Sequence, residues 1–295
     1  MTAVQGFDPS RPNIARVYDY WLGGKDNFAA DRELAQKMCE INPAVPTMVR
    51  DNRAFAIQAV TRAAEAGITQ FIDLGAGLPT RPSLDEAARA VNPDARIAYV
   101  DFDPVVVSHL RALLARQPGV AAASADLTDP AAVLAHPDVR RIIDLGQPVC
   151  IVMACTLHFL EAAKAKEVTA LYMGCVAAGS RIAASVVHIA SATMRATPPE
   201  TYTAGTFFRH GPAEMTDWLA GWQLLPPGGG RGAPLDIWDQ RRPSLSGLLH
   251  TVRRCRQAAG LTRSGEGSPG PRGEFGGGFR IRWLGGAAGR CRAPG

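Results

Sequence analysis

No apolar run in the 295 residues reaches the roughly 18–20 that a membrane helix needs. The first eleven residues contain no apolar segment such as a secretory leader requires. Cysteine is scarce and scattered. Six are present with no CxxC pair and no regular framework, which argues against disulfide scaffolding and against a zinc site. Cys39, Cys150, Cys155 and Cys175 lie singly in helix-like or strand-like runs and read as small buried apolar residues. HExxH, a P-loop lysine and a GxSxG elbow are missing as well. Positive charge is missing where nucleic-acid binding would need it: residues 1–227 carry 20 Lys and Arg against 23 Asp and Glu. The formal net charge of +5 comes from residues 228–295, which hold 12 Arg, no Lys and four acids. These absences predict a cytoplasmic globular protein with no metal, no membrane partner and no nucleic-acid face on its body.

What is present is a helical opening followed by a regular alternation. Ile14, Val17, Tyr18, Trp21 and Leu22 recur at helical spacing before Gly23-Gly24, so residues 11–24 are expected to be a helix. Helices at 29–41 and 46–66 follow. Strands are then expected at 71–74, 96–100, 119–124, 149–154 and 181–187, with helices between them. The four residues Ser83-Leu-Asp-Glu86 form a capping box that opens one of those helices. The strands are nearly continuous apolar runs, which suits burial on both faces of a parallel sheet. The expected fold class is therefore α/β, a Rossmann-like doubly wound, mostly parallel sheet. Its expected division is an N-terminal helical cover over residues 1–68, a core at 69–227 and an atypical tail at 228–295. Helix at 212–220 and strand at 222–225 close the core. The tail holds 17 of the 30 glycines among its arginines and prolines. It is expected to be disordered, apart from a candidate amphipathic helix over 243–259, or else to be translated out of frame.

In such folds ligands bind beyond the carboxyl ends of the strands, where the strand order reverses. The first strand ends in Asp73-Leu-Gly75-Ala76-Gly77 and the second in Asp101-Phe102-Asp103. The third ends in Asp126-Leu127 and the fourth in Ala154-Cys155-Thr156. Gly75 and Gly77 read as a ligand loop. Asp101 sits where an ionised acid can accept from both hydroxyls of a ribose. Asp126 suits the amino group of adenine, with the Leu127 amide facing a ring nitrogen. Asp73 is expected to order the loop through backbone amides, with direct ligand contact as the alternative. Asp103, just before Pro104, either caps the next helix or joins the site. The glycine loop continues as Leu78-Pro79-Thr80-Arg81-Pro82. It lacks the third glycine of a dinucleotide fingerprint, and its prolines remove amide donors. That is a poor pyrophosphate cradle, and it suits a nucleoside without phosphates, such as S-adenosylmethionine.

With these residues in place the chain resembles the class I S-adenosylmethionine-dependent methyltransferases. Within them it is similar to the actinobacterial S-adenosyl methyltransferase family, formerly a domain of unknown function. The resemblance is carried by Arg16-Val-Tyr-Asp-Tyr-Trp-Leu-Gly-Gly-Lys-Asp-Asn-Phe28, Asp51-Asn-Arg53, the 71–80 loop, Tyr99-Val-Asp-Phe-Asp-Pro-Val-Val106, Asp126-Leu127 and Leu157-His-Phe159. It spans about residues 11–227. It implies S-adenosylmethionine as cofactor and methyl transfer to a small-molecule acceptor. It also implies that Lys25, Asp26, Asn27 and Arg53 form a lid over the methionine moiety; the alternative is that they cap the helix connection and make a surface ion pair. Tyr18 and Trp21 read as core. His158, after the fourth strand, is the candidate general base. The alternatives are a nucleoside-binding protein without transferase activity, and an NAD-dependent oxidoreductase, which the missing glycine disfavours. For the basic tail the alternative is weak contact with acidic partners.

Overall fold

The computed structural model describes residues 8–187, 203–225 and 251–253. Three helices come first: α1 at Ile14–Leu22, α2 at Ala29–Ile41 and α3 at Val45–Glu65. α1 is bounded by its own sequence. The Asn13 side chain accepts hydrogen bonds from the Ala15 and Arg16 amides, and Gly23 ends the helix at φ 84°, a left-handed conformation that glycine adopts without strain.

The alternation then runs β1 at Gln70–Leu74, α4 at Leu84–Val91, β2 at Arg96–Asp101, α5 at Pro104–Leu113 and β3 at Val120–Ser124. Two short helices, α6 at Pro130–Ala135 and α7 at Pro137–Arg140, lead to β4 at Cys150–Ala154. A 3-10 turn at Leu157–Phe159, α8 at Ala162–Cys175 and β5 at Arg181–Ser185 complete the series. The predicted capping box starts α4: Ser83 Oγ accepts from the Glu86 amide and Glu86 Oε2 from the Ser83 amide at 2.9 Å.

The five strands are parallel, in the order β3-β2-β1-β4-β5. The chain builds outward from β1 to β3 and then returns to the other side of β1 with β4. The reversal lies between β1 and β4, where such sheets open a ligand crevice. Successive strand residues point to opposite faces. Ile72, Val100, Ala123 and Met153 pack toward Val168 and Tyr172 of α8. Phe71, Ile97, Tyr99 and Val152 pack on the opposite face with Phe55, Ala59 and Val60 of α3 and Leu110 of α5. Each large side chain so buried contributes about 1.5–3 kcal/mol. α3 is thus a layer of the sheet, while α1 and α2 hold a small cluster of their own around Val17, Leu34 and Ala35.

The helical stretch from Pro130 breaks at Pro137, as its sequence leads one to expect, because proline lacks the amide that would continue the first helix. Two expectations change. Cys175 is exposed. A helix, α9 at Pro212–Trp218, precedes β6 at Gln223–Leu225, which pairs antiparallel with β7 at Thr251–Arg253. The second partner of a closing strand pair therefore lies inside the stretch read as helix-forming tail. Pairing between segments 26 residues apart leaves no local period to read. The remaining tail residues, and with them the disordered or out-of-frame reading, lie outside the described residues. The described residues all fall within one compact unit.

Candidate functional site

β1 delivers Asp73 and Leu74 to the loop, and β2 holds that loop in place. The Gly75 and Ala76 amides both donate to the Val100 carbonyl, at 2.9 and 3.1 Å. The Gly77 amide donates to Asp101 Oδ2 at 3.0 Å, and Asp101 Oδ1 accepts from the Asp103 amide at 3.0 Å. Both glycines have positive φ, 71° and 66°, but for different surroundings. A Cβ on Gly75 would stand 2.5 Å from Thr156 Cγ2, whereas one on Gly77 would point into open space. The first glycine lets β4 approach the loop. The second leaves room for a ligand against bare backbone.

The carboxylates are buried to different ends. Burial raises the Asp101 carboxyl, against the lowering effect of the Asp103 and Gly77 amides. Asp73 is pushed up to about 7 by burial, with Arg53 opposing and Asp101 adding to the rise. Asp73 was expected to hold the loop, and it does not: among the described residues its carboxylate accepts no loop amide, because the Val100 carbonyl and Asp101 already take them. Asp103 is a helix cap, its Oδ1 accepting from the Val105 amide at 2.7 Å. Its Oδ2 accepts from Asn13 Nδ2 at 2.7 Å, tying the start of α1 to the end of β2.

A cavity of about 530 Å³ opens over these strand ends. Asp73, Gly75, Ala76, Gly77, Asp101 and Phe102 line it. So do Asp126, Leu127, Ala154, Arg53 and His158. Phe102 is 64% exposed, a large apolar face turned outward beside Asp101. The β3 loop is fixed from below, where the Tyr172 hydroxyl donates to the Leu127 carbonyl at 3.1 Å.

Lys25 and Asn27 do not line the cavity. Lys25 is exposed, and Asn27 Nδ2 donates to Asp19 Oδ2 at 2.9 Å and to the Gly24 carbonyl. Asp19 Oδ2 also accepts the Asp26 amide at 3.0 Å. The neighbouring Asp31, fully buried, accepts from Arg16 Nε at 2.7 Å and from the Asn13 and Phe28 amides at 2.8 Å each. This segment folds its polar groups onto itself, so the lid reading fails for Lys25 and Asn27. Arg53 reaches the loop by another route, its Nη2 donating to the Thr80 and Pro82 carbonyls at 3.0 and 2.7 Å.

Tyr18 and Trp21, expected in the core, also line the cavity. Tyr18 begins a buried polar chain absent from the sequence reading. Its hydroxyl accepts from Asn52 Nδ2 at 2.8 Å, Ser185 Oγ donates to Asn52 Oδ1 at 2.6 Å, and the Cys155 amide donates to Ser185 Oγ at 3.0 Å. The chain joins α1, α3, β5 and the end of β4, and holds Cys155 at φ 57°, unusual for a residue with a side chain. Burial pushes the Cys155 thiol up to about 12. The missed signal was Ser185 itself, a polar residue ending the apolar strand Arg181–Ser185, as the acids end β1 and β2.

His158 is buried and its ring lies 4.3 Å from Phe159 and 4.9 Å from Phe207, centroid to centroid. Its Nδ1 has no hydrogen-bond partner among the described residues, nor has the buried Thr156 Oγ1. Burial, helped by the nearby His210, pushes the imidazole down to about 3. It is neutral at ordinary pH and too weak a base to serve as a proton sink. Among the described residues no cluster of His, Cys, Asp and Glu could hold a metal, and no helix is long and apolar enough to cross a membrane.

The family described as S-adenosyl methyltransferase matches residues 1–242. A crystal structure of a candidate methyltransferase from Thermobifida fusca is 38% identical, with a TM-score of 0.74 over 85% of this chain and 97% of that one. A DUF574 family protein from Streptomyces avermitilis is 32% identical, with a TM-score of 0.75 over 84% of this chain and 99% of that one. No curated protein matches the chain.

Proposed function

The chain belongs to the S-adenosyl methyltransferase family and is a class I S-adenosylmethionine-dependent methyltransferase, and from that premise we propose which of its residues hold the cofactor and what kind of acceptor it serves. Asp101 takes the ribose hydroxyls. Gly75, Ala76 and Gly77 give the backbone surface on which the nucleoside lies. Phe102, Asp126 and Leu127 meet the adenine, and Asp73, Ala154 and Arg53 border the methionine end. The acceptor is a small molecule, and the protein works in the cytoplasm of an actinobacterium.

The observation that carries the cofactor assignment is the preset Asp101. Backbone amides at 3.0 Å fix both of its oxygens, and each oxygen keeps a lone pair for a hydroxyl on the cavity side. The rest of the lining fits the same ligand. Gly77 leaves open space, and Ser83 starts α4 too far from the glycines to present a helix N-terminus to a pyrophosphate. Asp73 has no partner from the loop and can meet a cationic group. Bound S-adenosylmethionine supplies an electrophilic methyl group on a sulfonium. The protein's own part is to orient, to exclude water and to place the acceptor in line, and none of that requires a side-chain nucleophile.

The test is calorimetric titration with S-adenosylhomocysteine. Micromolar binding to the full chain is expected, with loss in Asp101→Ala. Unchanged binding in that variant would overturn the site assignment, and tighter binding of NAD would overturn the cofactor.

A further inference from the structure

Among the described residues eight stand at positive φ, and seven of them are glycines. The exception is Cys155, at φ 57°, where β4 ends and the chain enters the 3-10 turn at Leu157–Phe159. For a residue with a side chain that conformation is disfavoured by about tenfold, so its surroundings must hold it there. Ser185 does this. The Cys155 amide donates to Ser185 Oγ at 3.0 Å and to the Ser185 carbonyl at 3.1 Å. The hydroxyl is fixed as an acceptor toward that amide because its own proton goes to Asn52 Oδ1 at 2.6 Å. Asn52 is oriented in turn by its Nδ2, which donates to the Tyr18 hydroxyl at 2.8 Å, and Tyr18 donates to the Val49 carbonyl at 3.3 Å. The bonds run in one direction, so each group sets the orientation of the next. Ser185 is fully buried and does not line the cavity.

The turn held in this way reaches the glycine loop. Directly after Cys155, Thr156 lies against that loop, so close that a Cβ on Gly75 would stand 2.5 Å from Thr156 Cγ2. On its other side the Thr156 carbonyl accepts from the Phe159 amide at 3.1 Å, and Leu157 is buried in the core. Two left-handed residues therefore frame the join between β1 and β4, where the strand order reverses. Gly75, at φ 71°, adopts its conformation unaided, and Cys155 does not. We propose that Ser185 is a positioning residue for cofactor binding: oriented by Asn52, it acts through Cys155 to keep the end of β4 seated on the glycine loop. The proposal rests on the cofactor assignment above, in which Gly75, Ala76 and Gly77 bear the nucleoside and Ala154 borders the methionine end. Relaxation of Cys155 to negative φ would swing Thr156 relative to Ala154, and the loop would lose the wall it rests on. Preorganising that wall costs nothing at the moment of binding, whereas ordering it on binding lowers affinity.

The experiment titrates the full chain with S-adenosylhomocysteine and follows urea unfolding of the same samples. Ser185→Ala should weaken binding by about tenfold, the cost of the left-handed turn once nothing holds it. In a Cys155→Gly background, where glycine adopts that turn unaided, the same substitution should weaken binding by less than about threefold. A hydroxyl that served stability alone would lower the unfolding midpoint in both backgrounds and leave affinity unmoved. Affinity unchanged in Ser185→Ala, or reduced equally in the two backgrounds, therefore overturns the proposal. Asn52→Ala, which frees the Ser185 hydroxyl to rotate, should show the same dependence on the residue at 155. Should neither variant fold, Cys155→Asn and Cys155→Val give the reading with Ser185 in place. Asparagine tolerates positive φ and a β-branched residue resists it, so Cys155→Asn should bind about tenfold tighter than Cys155→Val, and equal affinity overturns the proposal. Lack of S-adenosylhomocysteine binding by the unsubstituted chain overturns the cofactor assignment instead, so the two failures are separate readings of one titration.

Discussion

The strand-end loops and the Arg16–Phe28 segment are both dense in polar residues, and both border the cavity, yet they direct those residues oppositely. In the loops the amides of Gly75, Ala76 and Gly77 are used to hold Asp101 and the backbone open toward the cavity. In the segment, Asp19, Asn27, Arg16 and Asp31 satisfy one another. The first arrangement leaves acceptor capacity for a ligand. The second makes a rigid brace that carries Tyr18 and Trp21 to the cavity wall. A run of polar residues thus signals a site only if acceptor capacity is left over once its partners in the fold are counted.

Substitutions that separate stability from binding would break or sharpen this contrast. The largest effect is expected from Asp31→Ala in the brace. It removes the carboxylate that balances the buried Arg16 charge, whose side chain is 5% exposed, and should cost about 3–5 kcal/mol in urea unfolding. Molecules still folded at low temperature should bind S-adenosylhomocysteine within about threefold of wild type. Asp101→Ala in the loop should do the reverse. Loss of two hydrogen bonds to a charged group weakens binding by about 3 kcal/mol, somewhat over 100-fold by calorimetry, with a smaller change in melting temperature.

Asp73→Asn comes next and should move the two readouts in opposite directions. Because burial lifts the carboxyl from 3.8 to about 7, the folded state keeps a proton that the unfolded chain releases across that window. Stability from this group is therefore present below about pH 4 and is lost as pH rises toward 7. The cost at pH 8 is about 4 kcal/mol, and burying an unpaired amide in its place returns about 1–3. The variant should be more stable than wild type by roughly 1–3 kcal/mol at pH 8 and less so or not at all at pH 4, in parallel urea titrations. Cofactor affinity should fall about tenfold and lose the rise that wild type shows from pH 6 to 8, as an ionised Asp73 meets a cation. Gly77→Ala should cost only about 1–2 kcal/mol of stability for its left-handed backbone but abolish measurable cofactor binding. Gly75→Ala should destabilise more, since the new methyl meets Thr156. The smallest effect is Lys25→Ala, within about 0.5 kcal/mol in stability and without change in affinity. A clear loss of affinity there would restore the lid reading.

The fold was open to reading because its cues are local. Apolar runs ending in Asp73, Asp101 and Asp126 mark strands feeding a crevice, and Gly75-Ala-Gly77 followed by prolines marks a loop without a phosphate cradle. Cues that depend on partners were not. Asp73 is as polar as Asp101 in sequence, but only Asp101 stands where the loop amides point. His158 looked like a base by its ordinary titration range, which burial then removed. Ser185 was passed over because it becomes informative only once β5 lies beside β4 and Asn52 reaches it across 133 positions. β7 was passed over because its partner is β6, not its neighbours in the chain.

The sequence by itself determined the alternation of strands and helices, the polar strand ends proposed to hold the cofactor, and the class of ligand they suit. These follow from hydrophobic period, from glycine's access to positive φ and from proline's missing amide, all properties of a few adjacent residues. Only the tertiary structure decided which polar groups are already satisfied and which carboxyl is buried without a loop partner. Hydrogen bonding and desolvation depend on what lies within a few ångströms in space, and at this site those neighbours come from α1, α3, β4 and β5, which are far apart along the chain.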